Sequence, residues 1–143
     1  MSGLSPKLPV HRNNFDIGGY ALTKTHIEVI QQNLKHLVLT NPGERIMDVN
    51  FGCGLKRYIF EQNSVSVYTQ IAGTIQEQVR RYMPFVSITD IEIRSSTHLW
   101  RLRGDFEELP SESIGDVGDN EINIRVLYSV AALRRTAVLS VRI

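Results

Sequence analysis

The sequence predicts an α+β fold in which two main helices pack on a small antiparallel three-stranded sheet. Three observations carry this. Apolar residues recur at helical spacing twice, first at Ile27, Ile30, Leu34, Leu37 and Val38, then at Tyr68, Ile71, Ile75, Val79 and Tyr82. Residues 86–93, 122–130 and 137–143 follow with apolar groups at strand spacing. The order is therefore helices first and strands after, which is the pattern of helices layered on one face of an antiparallel meander.

Each element has a local cause. Residues 1–22 contain Pro6, Pro9, Gly18 and Gly19 without a steady period, and read as an extended arm that a partner would order. Residues 23–143 read as a single domain. Thr25-His26-Ile27-Glu28 is a capping-box pattern, in which a hydroxyl and a carboxylate satisfy the free amides of a helix start. Asn41-Pro42-Gly43 stops that helix, because proline disfavours α at Asn41 and Gly43 can take positive φ. A short helical turn is expected at residues 55–60. Asn63-Ser64 can cap a second long helix over residues 65–82, with Ala72 beside its stripe and Pro84 as its stop.

Val86, Ile88, Ile91 and Ile93 form a strand whose alternation slips by one at Asp90, so a bulge is expected there. Leu99, Trp100 and Leu102 extend it as a hairpin arm. Residues 104–121 form an acidic loop. Ile122, Ile124, Val126, Tyr128 and Val130 alternate cleanly, and Ala137, Leu139, Val141 and Ile143 alternate again to the last residue. An apolar final strand at a sheet edge is a template for β-addition by another chain. It can equally be paired and covered within the domain, and both readings stay open.

At 143 residues the chain is long enough to bury about two thirds of its unfolded surface, so it needs no staples. Its 42% apolar and 22% charged content is that of a globular domain. No apolar run approaches the ~20 residues of a membrane span. The first ten residues lack the apolar core of a secretory signal, and the lone Cys53 fits a reducing compartment. Cytoplasmic synthesis is the expectation. Charge is unevenly spread. Residues 104–121 carry seven acids and no Lys or Arg; the other eight acids face sixteen bases, so the rest of the chain carries +8. A basic body with an acidic loop suits oriented docking to charged protein surfaces, or is a solvated loop. The scattered bases, paired only at Arg80-Arg81 and Arg134-Arg135, argue against nucleic acid.

Catalytic signals are thin. His11, His26, His36 and His98 have no metal-ligand spacing. Cys53 reads as a small buried hydrophobe, and Gly52-Cys53-Gly54 lacks the Lys-Ser/Thr of a phosphate loop. Glu44, Asp48 and Glu61 lie around one turn-rich segment, and glycoside hydrolysis uses two carboxylates at a fixed separation. Glu44, however, is expected to pair with Arg45, and an ion-paired Glu makes a poor general acid. Phe51, Leu55, Tyr58 and Phe60 are candidates for a partner patch, with Phe60 expected in the core and Phe51 at the partner contact.

The densest turn chemistry lies in Leu39-Thr40-Asn41-Pro42-Gly43-Glu44-Arg45-Ile46-Met47, then Phe51-Gly52-Cys53-Gly54-Leu55, then Phe60-Glu61. This run resembles the signature of the small wedge proteins of contractile-tail baseplates, a family that includes phage components and the related type VI secretion component. The resemblance covers residues 15–95, and the last strands by order. It implies a fold similar to the tail sheath core, no cofactor, and a structural role in the baseplate of a phage tail. It also implies a place in a multi-subunit ring with other wedge proteins and the tail sheath protein, with strands exchanged between neighbours to initiate the sheath. A murein hydrolase and a type VI or extracellular injection baseplate are the alternatives. Some family members are labelled lysozymes, a label these residues do not support.

Carried onto this chain, the partner-binding residues would be Pro42, Gly43, Glu44, Arg45, Phe51, Gly52, Gly54 and Leu55, together with Ala137, Leu139, Val141 and Ile143 of the last strand. The family's Glu-Pro-Arg signature is replaced here by Met83-Pro84-Phe85. The proline stays, so the contact that the signature makes would be apolar, through Met83 and Phe85.

Overall fold

The computed structural model describes residues 3–12, 19–62, 64–96, 98–103, 106–108 and 121–143. It divides into two compact units, Met1–His36 and Leu37–Ile143. The first long helix, α1 (His26–Leu39), begins in one and ends in the other. The acidic loop expected at 104–121 falls outside the described residues, apart from the backbone of residues 106–108 and Glu121. Gly18 and Asn63 lie outside them too.

In the first unit the arm has internal partners. Strands β1 (Ser5–Pro6) and β2 (Leu22–Thr23) pair antiparallel, and Arg12 bridges Tyr20. Gln32 clamps the arm from α1, accepting from the Leu8 N–H at 2.9 Å and donating to the Pro6 carbonyl at 3.0 Å. The capping box forms as the pattern requires. Thr25 Oγ1 accepts from the Glu28 N–H at 3.3 Å, and the Glu28 carboxylate accepts from the Lys24 and Thr25 amides at 2.9 and 3.3 Å. Those two amides hold the Glu28 carboxyl below the ordinary range.

The second unit holds the sheet. A 3-10 helix (Leu55–Phe60) leads into α2 (Val65–Tyr82), whose N-cap Ser64 accepts from the Val67 N–H. The strands are β3 (Val86–Arg94), β4 (His98–Arg101), β5 (Phe106–Glu108), β6 (Asn123–Val130) and β7 (Arg135–Arg142). All pair antiparallel in the order β5-β4-β3-β6-β7. The sheet thus has five strands where three were expected. The hairpin arm around Trp100 becomes β4, and β5 joins it from within the acidic segment, where alternation is too weak to announce a strand. The bulge falls where the slipped alternation puts it, with register shifting between Ile88 and Asp90.

The inward face of this unit is continuous. Tyr68, Ile71, Ile75 and Val79 of α2 are buried, as are Ile91, Ile93, Trp100, Ile124, Val126, Tyr128, Leu139 and Val141 of the sheet. Each large aliphatic group contributes about 1.5–3 kcal/mol through burial. The bulge is what keeps both Val86 and Ile91 on this face. The opposite face is mostly polar, with Leu99, Leu127 and Val138 among its charged and hydroxyl groups. There Glu92 receives Arg101 at 3.1 Å and Arg125 at 3.4 Å from its two register neighbours, partly exposed pairs that stabilise by at most about 1 kcal/mol each.

One polar link ties α2 to the β3–β4 turn. The buried Tyr68 hydroxyl donates to Ser95 Oγ at 3.2 Å, and Ser95 Oγ accepts from the His98 N–H at 3.1 Å. Burial pushes the Tyr68 hydroxyl pKa up, which keeps it a donor. Tyr68→Phe should cost about 1 kcal/mol of unfolding free energy by urea titration. In a double-mutant cycle with Ser95→Ala the two losses should fail to add, reporting the direct bond.

Candidate functional site

The turn-rich segment folds back onto the end of α1. The Cys53 N–H donates to the Leu37 carbonyl at 3.1 Å and the Gly54 N–H to the Thr40 carbonyl at 3.1 Å. These are carbonyls that a helix end leaves without intrahelical donors. The return passes so close that Gly52, at φ +113°, has no room for a side chain: a Cβ there would collide with the Thr40 carbonyl oxygen. Gln78 of α2 fixes the same stretch, accepting from the Gly52 N–H at 3.2 Å and donating to the Asn50 carbonyl at 3.3 Å. Cys53 is sealed beneath, and burial pushes its thiol up to about 12. It is therefore neutral and unreactive at physiological pH.

Residues 43–49 are thrown outward as a closed loop. The Gly43 N–H donates to the Val49 carbonyl at 2.8 Å across its base. Gly43 sits at φ +93° with open space around it. The Glu44 carboxylate accepts from the Asn41 N–H at 3.0 Å and from Asn41 Nδ2 at 2.8 Å, which holds its pKa below the usual range, with Lys56 adding to the effect. The expected Glu44–Arg45 pair does not form. The Arg45 guanidinium instead lies 4.1 Å from the centroid of the Phe51 ring, and Phe51 packs edge-on against Tyr82 with centroids 5.0 Å apart. Beside the Asp48 carboxylate, the Tyr82 hydroxyl has its pKa raised, chiefly by burial.

The predicted site residues separate sharply by exposure. Pro42, Gly43, Glu44 and Arg45 are exposed, and Phe51 is half-buried between Arg45 and Tyr82. Gly52, Gly54 and Leu55 are buried and shape the loop from below. Met83 is buried too, continuing the α2 stripe one turn beyond Val79, so an apolar contact at the signature position falls to Pro84 and to Phe85, which is 49% exposed. Phe60 is not a core residue but 93% exposed. A 3-10 helix repeats every three residues, so Leu55 and Tyr58 face inward together and Phe60 points elsewhere. Sequence reasoning passed over the two most exposed aliphatic groups of the loop, Ile46 and Met47, at 92% and 97%. Their signal was legible: a bulky apolar pair inside a Pro/Gly-bounded turn that has no strand or helix period.

Strand β7 is a sheet edge. Ile122 and Ile143 exchange both backbone hydrogen bonds at 3.0 Å, which fixes the parity of the whole β6–β7 ladder. Ala137, Leu139 and Val141 therefore spend their main-chain groups on β6, and Leu139 and Val141 bury their side chains. The main-chain groups of Thr136, Val138 and Ser140 point away from β6, where no described strand meets them. An edge contact would use these three and not the apolar set named from sequence. Among the described residues no group of three or more His, Cys, Asp or Glu could hold a metal ion, and no helix is long and apolar enough to cross a membrane.

The two loop glycines differ in a way that can be measured. Gly52→Ala should lose about 3 kcal/mol or more, because positive φ and a backbone collision act together. Gly43→Ala meets only the φ penalty and should lose about 1–2 kcal/mol, both read from urea unfolding midpoints.

No curated protein matches the sequence. Among solved structures, the chain is similar to a candidate tail lysozyme of Geobacter sulfurreducens, with a TM-score of 0.59 at 19% identity over 86% of this chain and 94% of that one. At that identity the likeness speaks for the fold alone. It is also similar to a chain of the anti-feeding prophage baseplate, with a TM-score of 0.56 at 26% identity over 73% of this chain and 82% of that one. The family described as baseplate wedge protein gp25 matches residues 24–107, more than half of the sequence, including the whole loop anchored beneath α1. The chain belongs to this baseplate wedge family.

Proposed function

We propose that this chain is a structural wedge component of a phage-tail baseplate, which joins neighbouring wedge proteins and initiates the sheath by strand exchange at β7. Family membership supports the baseplate role. The observation that carries the strand-exchange step is the parity of β7. Thr136, Val138 and Ser140 present a row of outward main-chain donors and acceptors on an eight-residue edge. An extended segment of another chain can complete that row without disturbing the core. The arginines at the two ends of β7 are the edge's own charged guards against indiscriminate pairing.

A second reading places the chain in the baseplate of an injection machine of the anti-feeding-prophage kind, favoured by the 26% likeness to that baseplate. Neighbouring genes for capsid or for toxin cargo would separate the two machines.

On this reading the chain is not an enzyme. The murein-hydrolase alternative needs Glu44 as an acid or nucleophile with Asp48 or Glu61. Glu44 is spent on two Asn41 donors that favour its ionised form, which suits a loop latch and not a proton donor. Purified chain should leave a peptidoglycan zymogram uncleared, and Glu44→Gln should behave identically. Clearing that Glu44→Gln abolishes would establish the hydrolase.

Ser140→Pro removes one outward N–H and no bond to β6, a substitution that an edge strand tolerates. The melting temperature and the amount of chain in baseplates should change little, while sheath-bearing particles should fall at least about tenfold by electron microscopy. Full-length sheath on particles carrying Ser140→Pro would sink the strand-exchange step.

A further inference from the structure

We propose that the upstream half of β3 and the adjoining face of α2 form a slot that receives an extended segment of another baseplate protein as an added strand. This rests on the baseplate reading above and names a contact separate from β7. Strand β4 pairs only with Glu92, Ile93 and Arg94, and beyond that pairing the Leu102 N–H donates to the Ile91 carbonyl at 2.9 Å. Upstream of Ile91 no described strand lies on that side of β3. The strand is therefore central at one end and an edge at the other.

Ladder parity fixes which main-chain groups are unspent there. Because Ile122 and Ile143 form a bonded pair, β6 turns the main-chain groups of Asn123, Arg125, Leu127 and Ser129 toward β3, where they meet Arg94, Glu92, Asp90 and Ser87. The main-chain groups of Val86 and Ile88 point the other way, into the open side. The Val86 N–H donates to the Met83 carbonyl at 2.9 Å, and Asp90 Oδ1 accepts from the Ile91 N–H at 2.9 Å. What is left is the Val86 carbonyl with the N–H and carbonyl of Ile88. A residue of an antiparallel strand placed opposite Ile88 exchanges both bonds with it, and the residue two further on donates to Val86. A docked helix cannot do this, because its own N–H and C=O groups are spent internally.

The facing wall leaves room for a backbone. Gly73, Glu77 and Arg80 of α2 line an open groove with Val86, Ser87 and Ile88 of β3. A glycine inside a helix weakens it relative to alanine. Nothing among the described residues requires one at Gly73: its φ is not positive, and a Cβ there would meet nothing within 4 Å. The space it leaves opens into the groove, where another main chain can approach closely. Glu77 and Arg80 put one charge of each sign at the rim, so main-chain hydrogen bonding and not charge selects the occupant. The residue opposite Ile88 shares its face, with Val79 and Gly73 beside it, and is apolar; its sequence neighbours turn to the mostly polar face and are polar. The open edge of a second copy, β7, is taken by the sheath on the reading above, so the segment comes from a different protein.

Gly73→Leu separates the slot from the fold, because its side chain fills the space of the incoming strand. Leucine is a strong helix former, so the melting temperature of the free chain should rise by about 2–5 °C. In producing cells the same variant should lower incorporation of the full chain into sedimenting baseplates at least about tenfold. A photo-crosslinking amino acid at Gln76, on the groove rim, should join another baseplate protein at a segment in which apolar and polar residues alternate. Its yield should be at least about tenfold above that from Lys35, exposed on α1. Normal incorporation of Gly73→Leu, a fall in its melting temperature, crosslinks to a second copy or to a segment without alternation, or a yield no higher than at Lys35 overturns the slot and leaves the baseplate reading standing. Absence of the unaltered chain from sedimenting baseplates removes that reading, and the slot with it.

Discussion

The capture of the Leu37 and Thr40 carbonyls, at and just past the end of α1, by the amides of Cys53 and Gly54 is the constraint on which the rest of the site depends. A helix end needs donors, and here they come from a strand of loop more than a dozen residues downstream. To deliver them the chain must pass flush against Thr40, and only a residue without Cβ can occupy Gly52. Once that return path is fixed, residues 43–49 have nowhere to go but outward. Gln78 then reads the same stretch from α2, so the loop's position is tied to the helix that packs on β3. The exposed Ile46 and Met47 are a consequence of a cap made at the opposite end of the segment.

The sheet obeys a second constraint, the parity of its ladders. Side chains alternate between faces with period two, and in an antiparallel pair the main-chain bonds alternate with the same period. On β7 these coincide so that the residues burying side chains also bond β6, while the residues facing solvent hold the unspent main-chain groups. Core stability and edge availability are thereby assigned to different residues. Substitution at Leu139 or Val141 would disturb the core, whereas Thr136, Val138 and Ser140 can be changed with the fold intact.

Much of this was legible in the sequence because local chemistry and long-range pattern agree. The Thr25–Glu28 box, the Ser64 cap, the α2 stripe and the slip at Asp90 each name an element whose cause is local, and each is found. What was not legible depended on geometry that periodicity does not encode. Phe60 looks like core by its size and apolarity alone, but Leu55 and Tyr58 take the inward face of the 3-10 turn at three-residue spacing, and Phe60 falls off that face. Glu44 and Arg45 are adjacent, yet the closed loop sends one to Asn41 and the other over Phe51. Strand β5 lies in an acidic stretch whose own alternation is weak, and its register neighbours in β4 supply the pairing. The arm looks unsupported in sequence because its helix partner, Gln32, is a single half-buried polar residue, and its own β1–β2 pairing is only two residues long.

The β7 edge and the exposed loop differ in what they can discriminate. A main-chain edge offers the same donors and acceptors whatever sequence approaches, so it gives affinity with little selectivity. The exposed Ile46–Met47 pair differs, because side chains of fixed shape discriminate between the surfaces that meet them. Both are carried by the unit Leu37–Ile143, one on a loop stapled to α1 and α2, the other on the last strand of the sheet. An unselective edge is safe in a crowded assembly only when a selective contact decides where it is presented. On the proposed reading the edge becomes productive only after its holder is in place, which needs no conformational switch in the chain.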